Sequence, residues 1–131
     1  MKLLLIAFLL IAGASLSLAQ GELLTDGHSL KRCLDIMEKA KKGEELTAQE
    51  QTIAGYGLGY FKGFSDANAL TQAIGVAFPF KVPGTVSFFD SAMAVKKYIE
   101  NHPESLDLQA ALLVAVAFKE QYPNPDYKPP K

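Results

Sequence analysis

The one thiol and the two imidazoles of this 131-residue chain, Cys33, His28 and His102, are the side chains that could form a Cys/His nucleophilic pair. A Cys/His nucleophilic pair needs hydrogen-bond reach and a third group that orients the base. Cys33 instead falls on an apolar stripe with Leu30, Leu34, Met37 and Ala40, and His28 lies five residues before it. A cysteine on such a stripe behaves as a small hydrophobe. His102 stands just before Pro103 at a helix start, a capping position rather than a catalytic one. Metal sites need several His, Cys or carboxylate ligands converging, and no spacing in the chain supplies them. Gly55, Gly59 and Gly63 recur every fourth residue inside a helical stretch, not between a strand and a helix, so they are no phosphate-binding loop. The reading is a non-enzyme with no catalytic, metal or cofactor site, whose function is binding.

The elements that must carry a binding surface are helical. Leu30, Cys33, Leu34, Met37 and Ala40 give a first helix over about 29–42, closed by Gly43. Thr47-Ala48-Gln49-Glu50 is a capping box that opens a second helix over 48–73, with a kink expected near Ser65–Asn68. Its expected core face is Ile53, Tyr56, Tyr60, Phe64 and Ala67. Each of the glycines beside that face costs about 0.8–1 kcal/mol of helix propensity. Gly55, Gly59 and Gly63 therefore mark either close helix packing within the chain or a homodimer face. Between Ile74 and Val86, prolines and glycines forbid regular helix. There Phe78, Phe80, Val82 and Val86 either fold back over the core or offer an apolar edge to a partner.

A third helix over about 87–100 presents Phe88, Ala92, Val95 and Ile99 on one face. A fourth over 103–121 contains the unbroken apolar run Ala110–Phe118. That run is apolar all round, so it reads as a buried core helix with Leu112 among its core residues. It spans only about 14 Å at ~1.5 Å per residue, against roughly 30 Å of hydrocarbon. The fold class is thus all-α, a small bundle of four main helices without a sheet.

Composition narrows the partners. With 13 basic and 14 acidic residues the chain lacks the footprint of a nucleic-acid binder. Met1-Lys2, the apolar Leu3–Ala12 and Ser17-Leu18-Ala19 read as a secretory signal peptide over 1–19, cleaved between Ala19 and Gln20. The expected organisation is then a single helical domain over 20–123 and a Pro-rich mobile tail over 124–131. The mature chain has no membrane span, and its compartment is the periplasm.

Four segments resemble the Rap/Tai family of bacterial type VI secretion immunity proteins. Thr25–Cys33 is similar to the family's opening. Gly59-Tyr60-Phe61-Lys62-Gly63-Phe64-Ser65-Asp66 matches its G-Y-x-x-G-x-x-D element. Phe80–Val86 is similar to a family loop, and Lys97–Glu104 to its K-Y-L-x-x-H-P-E segment, followed by the closing helix. The resemblance implies a periplasmic helical protein, often a homodimer, that binds a peptidoglycan amidase effector and blocks its active site. Family members usually carry four cysteines able to form two disulfides. Here Gly57, Lys81 and Asn124 occupy three of those positions and only Cys33 remains, so the core must hold by packing alone. On this reading the partner-binding candidates are Phe80, Lys81 and Val82 in the loop, with His102 and Glu104 at the corner between the last two helices. The alternative functions are a small periplasmic chaperone or stress protein, loosened when its carboxylates are protonated, and a carrier of a small apolar ligand.

Overall fold

A computed structural model describes residues 24–129. The segment 1–19 expected to be a signal peptide, and its expected cleavage point, lie outside the described residues. Among these, four α-helices and one 3-10 turn follow in order: α1 (Gly27–Lys41), α2 (Ala48–Ala73), α3 (Phe88–Asn101), the turn Pro103–Asp107, and α4 (Ala110–Gln121).

α1 opens two residues before the apolar periodicity suggests, because Asp26 and Ser29 cap it reciprocally. The Asp26 carboxylate accepts the Ser29 amide at 2.8 Å, and the Ser29 hydroxyl accepts the Asp26 amide at 3.2 Å. Gly43, at φ +72°, takes the left-handed conformation that ends the helix. The Thr47 capping box forms as expected: Thr47 Oγ1 accepts the Glu50 amide at 3.2 Å, and the Glu50 carboxylate accepts the Thr47 amide at 2.9 Å. α2 then runs as one helix through Ser65–Asn68.

The buried face of α2 is rotated from the expected one. Ile53, Ala54, Gly57, Phe61 and Asn68 are buried, with Tyr60 and Phe64 half-buried, whereas Tyr56 and Ala67 are exposed. The cause is Gly57. A Cβ there would meet Cys33 Sγ and would lie 2.8 Å from Met37 Sδ, so α1 packs directly on the α2 backbone at this point. The position at which the resemblance places a second cysteine thus faces Cys33. Phe80 and Pro123 form an antiparallel bridge, and the Lys81 amide donates to the Tyr122 carbonyl at 2.9 Å, which lays the loop bearing Lys81 beside the segment bearing Asn124. The tail therefore starts fastened: Asn124 Nδ2 donates to the Phe78 carbonyl at 2.7 Å.

The fourth helix is not continuous over 103–121. Leu108 and Gln109 are extended, because they pair with the residues that lead into α1. The Gly27 amide donates to Leu108 O at 2.9 Å and the Ala110 amide to Thr25 O at 3.1 Å. Nor is α4 buried all round. Ala110, Leu113, Val114, Ala117 and Phe118 face the core, while Leu112 is 51 % exposed. On α3, Phe88 likewise lies outside the buried stripe of Ser91, Ala92, Val95 and Ile99. Phe118 is the centre of an aromatic cluster, edge-on to Phe64, Phe80 and Tyr122 at 6.1, 5.4 and 5.8 Å.

Charges tie the helices from outside. Lys96 of α3 reaches Asp35 at 2.7 Å and Glu38 at 3.3 Å on α1, and Glu100 at 3.1 Å on its own helix. Burial pushes the Asp35 carboxyl up, but hydrogen bonds from Lys31 and Lys96 outweigh it and hold it below its ordinary value. The Lys96 hydrogen bond likewise lowers Glu38. Lys96 is raised, chiefly by Asp35. Between α1 and α2, Lys39 donates to Glu50 at 2.7 Å and, with the Thr47 amide, brings that carboxyl down to about 2.

Three outcomes follow from this packing. Leu113→Ala should cost about 2–5 kcal/mol, whereas Leu112→Ala should stay within about 0.5 kcal/mol of wild type; equal losses in urea titrations would contradict the orientation of α4. Gly57→Cys should cross-link to Cys33 under oxidation, leave no free thiol by titration, and add roughly 2–4 kcal/mol. Two free thiols after oxidation would show that the helices do not approach there. Acid should destabilise the fold. A carboxylate with a lowered folded pKa stabilises above its unfolded value and loses that contribution as pH falls through the folded one, whereas the raised Lys96 stays charged throughout. The melting temperature should therefore fall from about pH 5 to about pH 2. Lys96→Met should cost about 1–2 kcal/mol at neutral pH and flatten the upper part of that fall, leaving the Glu50 portion. A wild-type slope in this variant would exclude the Lys96 cluster as its source.

Candidate partner-binding surface

The loop after α2 is built on one buried polar residue. Asn68, 4 % exposed, lies on the same face of α2 as Phe61 and Phe64. Its Nδ2 donates to the Phe80 carbonyl at 3.1 Å, and its Oδ1 accepts the Val82 amide at 2.9 Å and Gln72 Nε2 at 2.9 Å. A buried amide with both ends satisfied fixes the backbone it bonds. The chain after α2 is thereby drawn back against the helix that precedes it, and Gly75, at φ +74°, provides the reversal.

This arrangement divides the apolar residues of the loop. Phe80 is 2 % exposed and packs edge-on against Phe118 and Phe78. It belongs to the core and cannot meet a partner, which corrects its expected role as a contact residue. Val82 is half-buried, and Lys81 projects into solvent. Ile74, Val76 and Phe78 remain exposed, as does Leu70 on the last turns of α2. Phe80 thus folds back over the core, while Phe78 stays at the surface.

The second group of candidates lies elsewhere. His102 ends α3; its ring stacks on Tyr98 at 4.2 Å, and Nδ1–H donates to the Tyr98 carbonyl at 3.1 Å. It makes no side-chain cap to the following 3-10 turn, contrary to the capping role expected of it. Glu104 is exposed on that turn. The turn packs on the start of α1, where a Cβ on Gly27 would lie 2.6 Å from Leu106 Cα. Lys81, by contrast, is bonded beside the C-terminal end of α4. The loop and the corner thus flank opposite ends of α4, which at ~1.5 Å per residue is about 18 Å long, and they do not form one site.

Gly55, Gly59 and Gly63 are exposed, with nothing within 4 Å of a Cβ built on any of them. Close helix packing within the chain is therefore not their role. Gly57, on the opposite side, has it. A shallow groove of about 410 Å³ is lined by Met37, Ala54, Leu58 and Phe89. Lys41 spans its rim, 3.6 Å from Asp90 and 4.9 Å from the centre of the Phe89 ring. Among the described residues no group of three or more His, Cys, Asp or Glu side chains is placed to hold a metal ion. Burial drives the Cys33 thiol up to about 11, which removes its nucleophilic form at neutral pH. None of the described helices is long and apolar enough to cross a membrane.

The feature the sequence reading missed is Asn68. Its signal was present: a short amide in phase with Phe61 and Phe64, just ahead of a Gly/Pro-broken apolar run.

Compared with known proteins, residues 26–124 match the family model described as Rap1a immunity proteins. No curated protein and no solved structure gives a significant match. The matched region runs from the Asp26 cap of α1 through all four helices to Asn124, the residue that fastens the tail. By that coverage the chain belongs to the Rap1a immunity protein family.

Proposed function

We propose that the protein is a periplasmic inhibitor of immunity type. It binds a secreted cell-wall amidase effector and occludes its active site, without catalytic activity of its own. The observation that carries this reading is the family match over every described helix. The buried, proton-retaining state of Cys33 fits a protein that acts by occupancy rather than chemistry. Delivery to the periplasm by residues 1–19 belongs to the same proposal, as does a homodimer formed along the open stripe of Gly55, Gly59 and Gly63, where a second backbone could approach without steric cost. A periplasmic chaperone loosened by acid is the second reading, favoured by the Lys96 carboxylate cluster.

Co-expression separates the two. The protein encoded beside this one is directed to the periplasm with and without the full chain. Lysis that the full chain prevents, and that a chain lacking residues 1–19 does not, is the expected result. A neighbour that is harmless, or equally lytic in both cases, contradicts the immunity reading and leaves the chaperone one. Light scattering of the purified protein should give twice the chain mass, and Gly59→Leu should return it to one; a wild-type monomer would exclude the dimer.

A further inference from the structure

We propose that the overhanging end of α2 and the return after it, residues 69–78, form the surface on which the effector is held. The matching surface on the effector is a concave apolar groove with a carboxylate at its mouth. This deepens the immunity reading and rests on it.

α2 is the longest helix of the bundle, and its last turn is exposed on every side but that of Thr71. From Ala69 to Phe78 every residue except Thr71 is exposed. Seven large hydrophobic side chains are exposed among the described residues, and four of them, Leu70, Ile74, Val76 and Phe78, fall in this stretch. Leu70 and Ile74 are one helical turn apart and are 61 % and 65 % exposed. A clustered apolar patch is the usual mark of an interaction site, whereas apolar residues scattered singly are not. Tyr56, Phe88 and Leu112 are dispersed over α2, α3 and α4.

The overhang is held in shape rather than loosely attached. Asn68 bonds both its own helix and the returning loop at Phe80 and Val82. Asn124 bonds Phe78 and Pro79 from the other side, through its side chain and its amide. Preorganised apolar anchors of this kind lose little freedom on binding, which favours tight complexes.

Charge selects the occupant. Residues 67–86 contain one charged side chain, Lys81, and no acid. Lys81 is exposed. A second copy docking symmetrically through this surface would add a second Lys81 to the same neighbourhood, with no acid in residues 67–86 to answer either. A different protein with a carboxylate beside an apolar groove meets the same surface without that conflict. An overhanging end is also the shape that enters a groove.

The test is calorimetric titration of the full mature chain with the purified secreted protein encoded beside it, run in parallel with the periplasmic protection assay. Leu70→Asp combined with Ile74→Asp should weaken binding by about 30-fold or more and abolish protection. Lys81→Glu should weaken it about tenfold and reduce its dependence on salt. Leu112→Asp should leave both readouts unchanged. If the double variant loses its fold by circular dichroism, Val76→Ser in the loop replaces it and should weaken binding in the same direction. Wild-type affinity in folded overhang variants, with protection intact, overturns this surface while the immunity reading stands. A wild-type chain that neither binds nor protects overturns both. Overhang variants that halve the mass in light scattering at unchanged affinity assign the surface to a second copy and overturn the proposal.

Discussion

The architecture depends on the contact at Gly57. Without a side chain there, Cys33 and Met37 of α1 settle onto the backbone of α2. That contact fixes which side of α2 faces inward. It places Phe61, Phe64 and Asn68 on the buried side and turns Gly55, Gly59 and Gly63 outward. A thiol and a thioether fill this point by packing. Any larger side chain at position 57 must displace sulfur atoms that are themselves fully enclosed. The Lys39–Glu50 and Lys31–Asp35–Lys96 pairs stand around this contact on the outside, at exposures where ion pairs add modestly to an interface already set by volume.

From the inward side of α2 the constraint passes to the aromatic cluster at Phe118 and then to the loop. Phe80 takes part in the cluster, and Asn68 bonds the backbone on both sides of Lys81. What remains of the segment has no room in the core. The exposed apolar residues of 70–78 are thus the counterpart of a full interior: a bundle of this size has space for one of the loop's two phenylalanines. The binding surface proposed above is structurally the part of the chain that the core leaves out.

The sequence made the helices legible because caps and breakers are local. Thr47–Glu50 and Gly43 act within a few residues, and the second helix was bounded correctly on that basis. It was least informative where partners are far apart in the chain. Size and phase point Tyr56 and Phe88 inward, yet packing against a glycine and a serine-alanine pair turns other residues inward instead. The all-apolar run of α4 concealed its direction, since periodicity carries no phase when every position is apolar; Leu112 and Leu113 are equivalent in sequence and opposite in burial. The break at Leu108–Gln109 came from pairing with residues 25–27, which no window along the chain could contain. For the same reason the sequence does not separate the loop candidates by burial. Phe80 and Lys81 are neighbours, but one is held by the cluster and the other by solvent.

The pairing of Thr25–Gly27 with Leu108–Ala110 also has a temporal side. It joins the first described segment to one of the last, so its loop-closure entropy must be met before any of its hydrogen bonds forms. A chain threaded from its N-terminus through a translocon would present α1 and α2 early, yet could not seat the start of α1 until residue 110 had emerged. On that route, completion of the native state would be tied to the end of transport, and the emerging chain would stay unfinished, and so able to keep moving, for most of its passage.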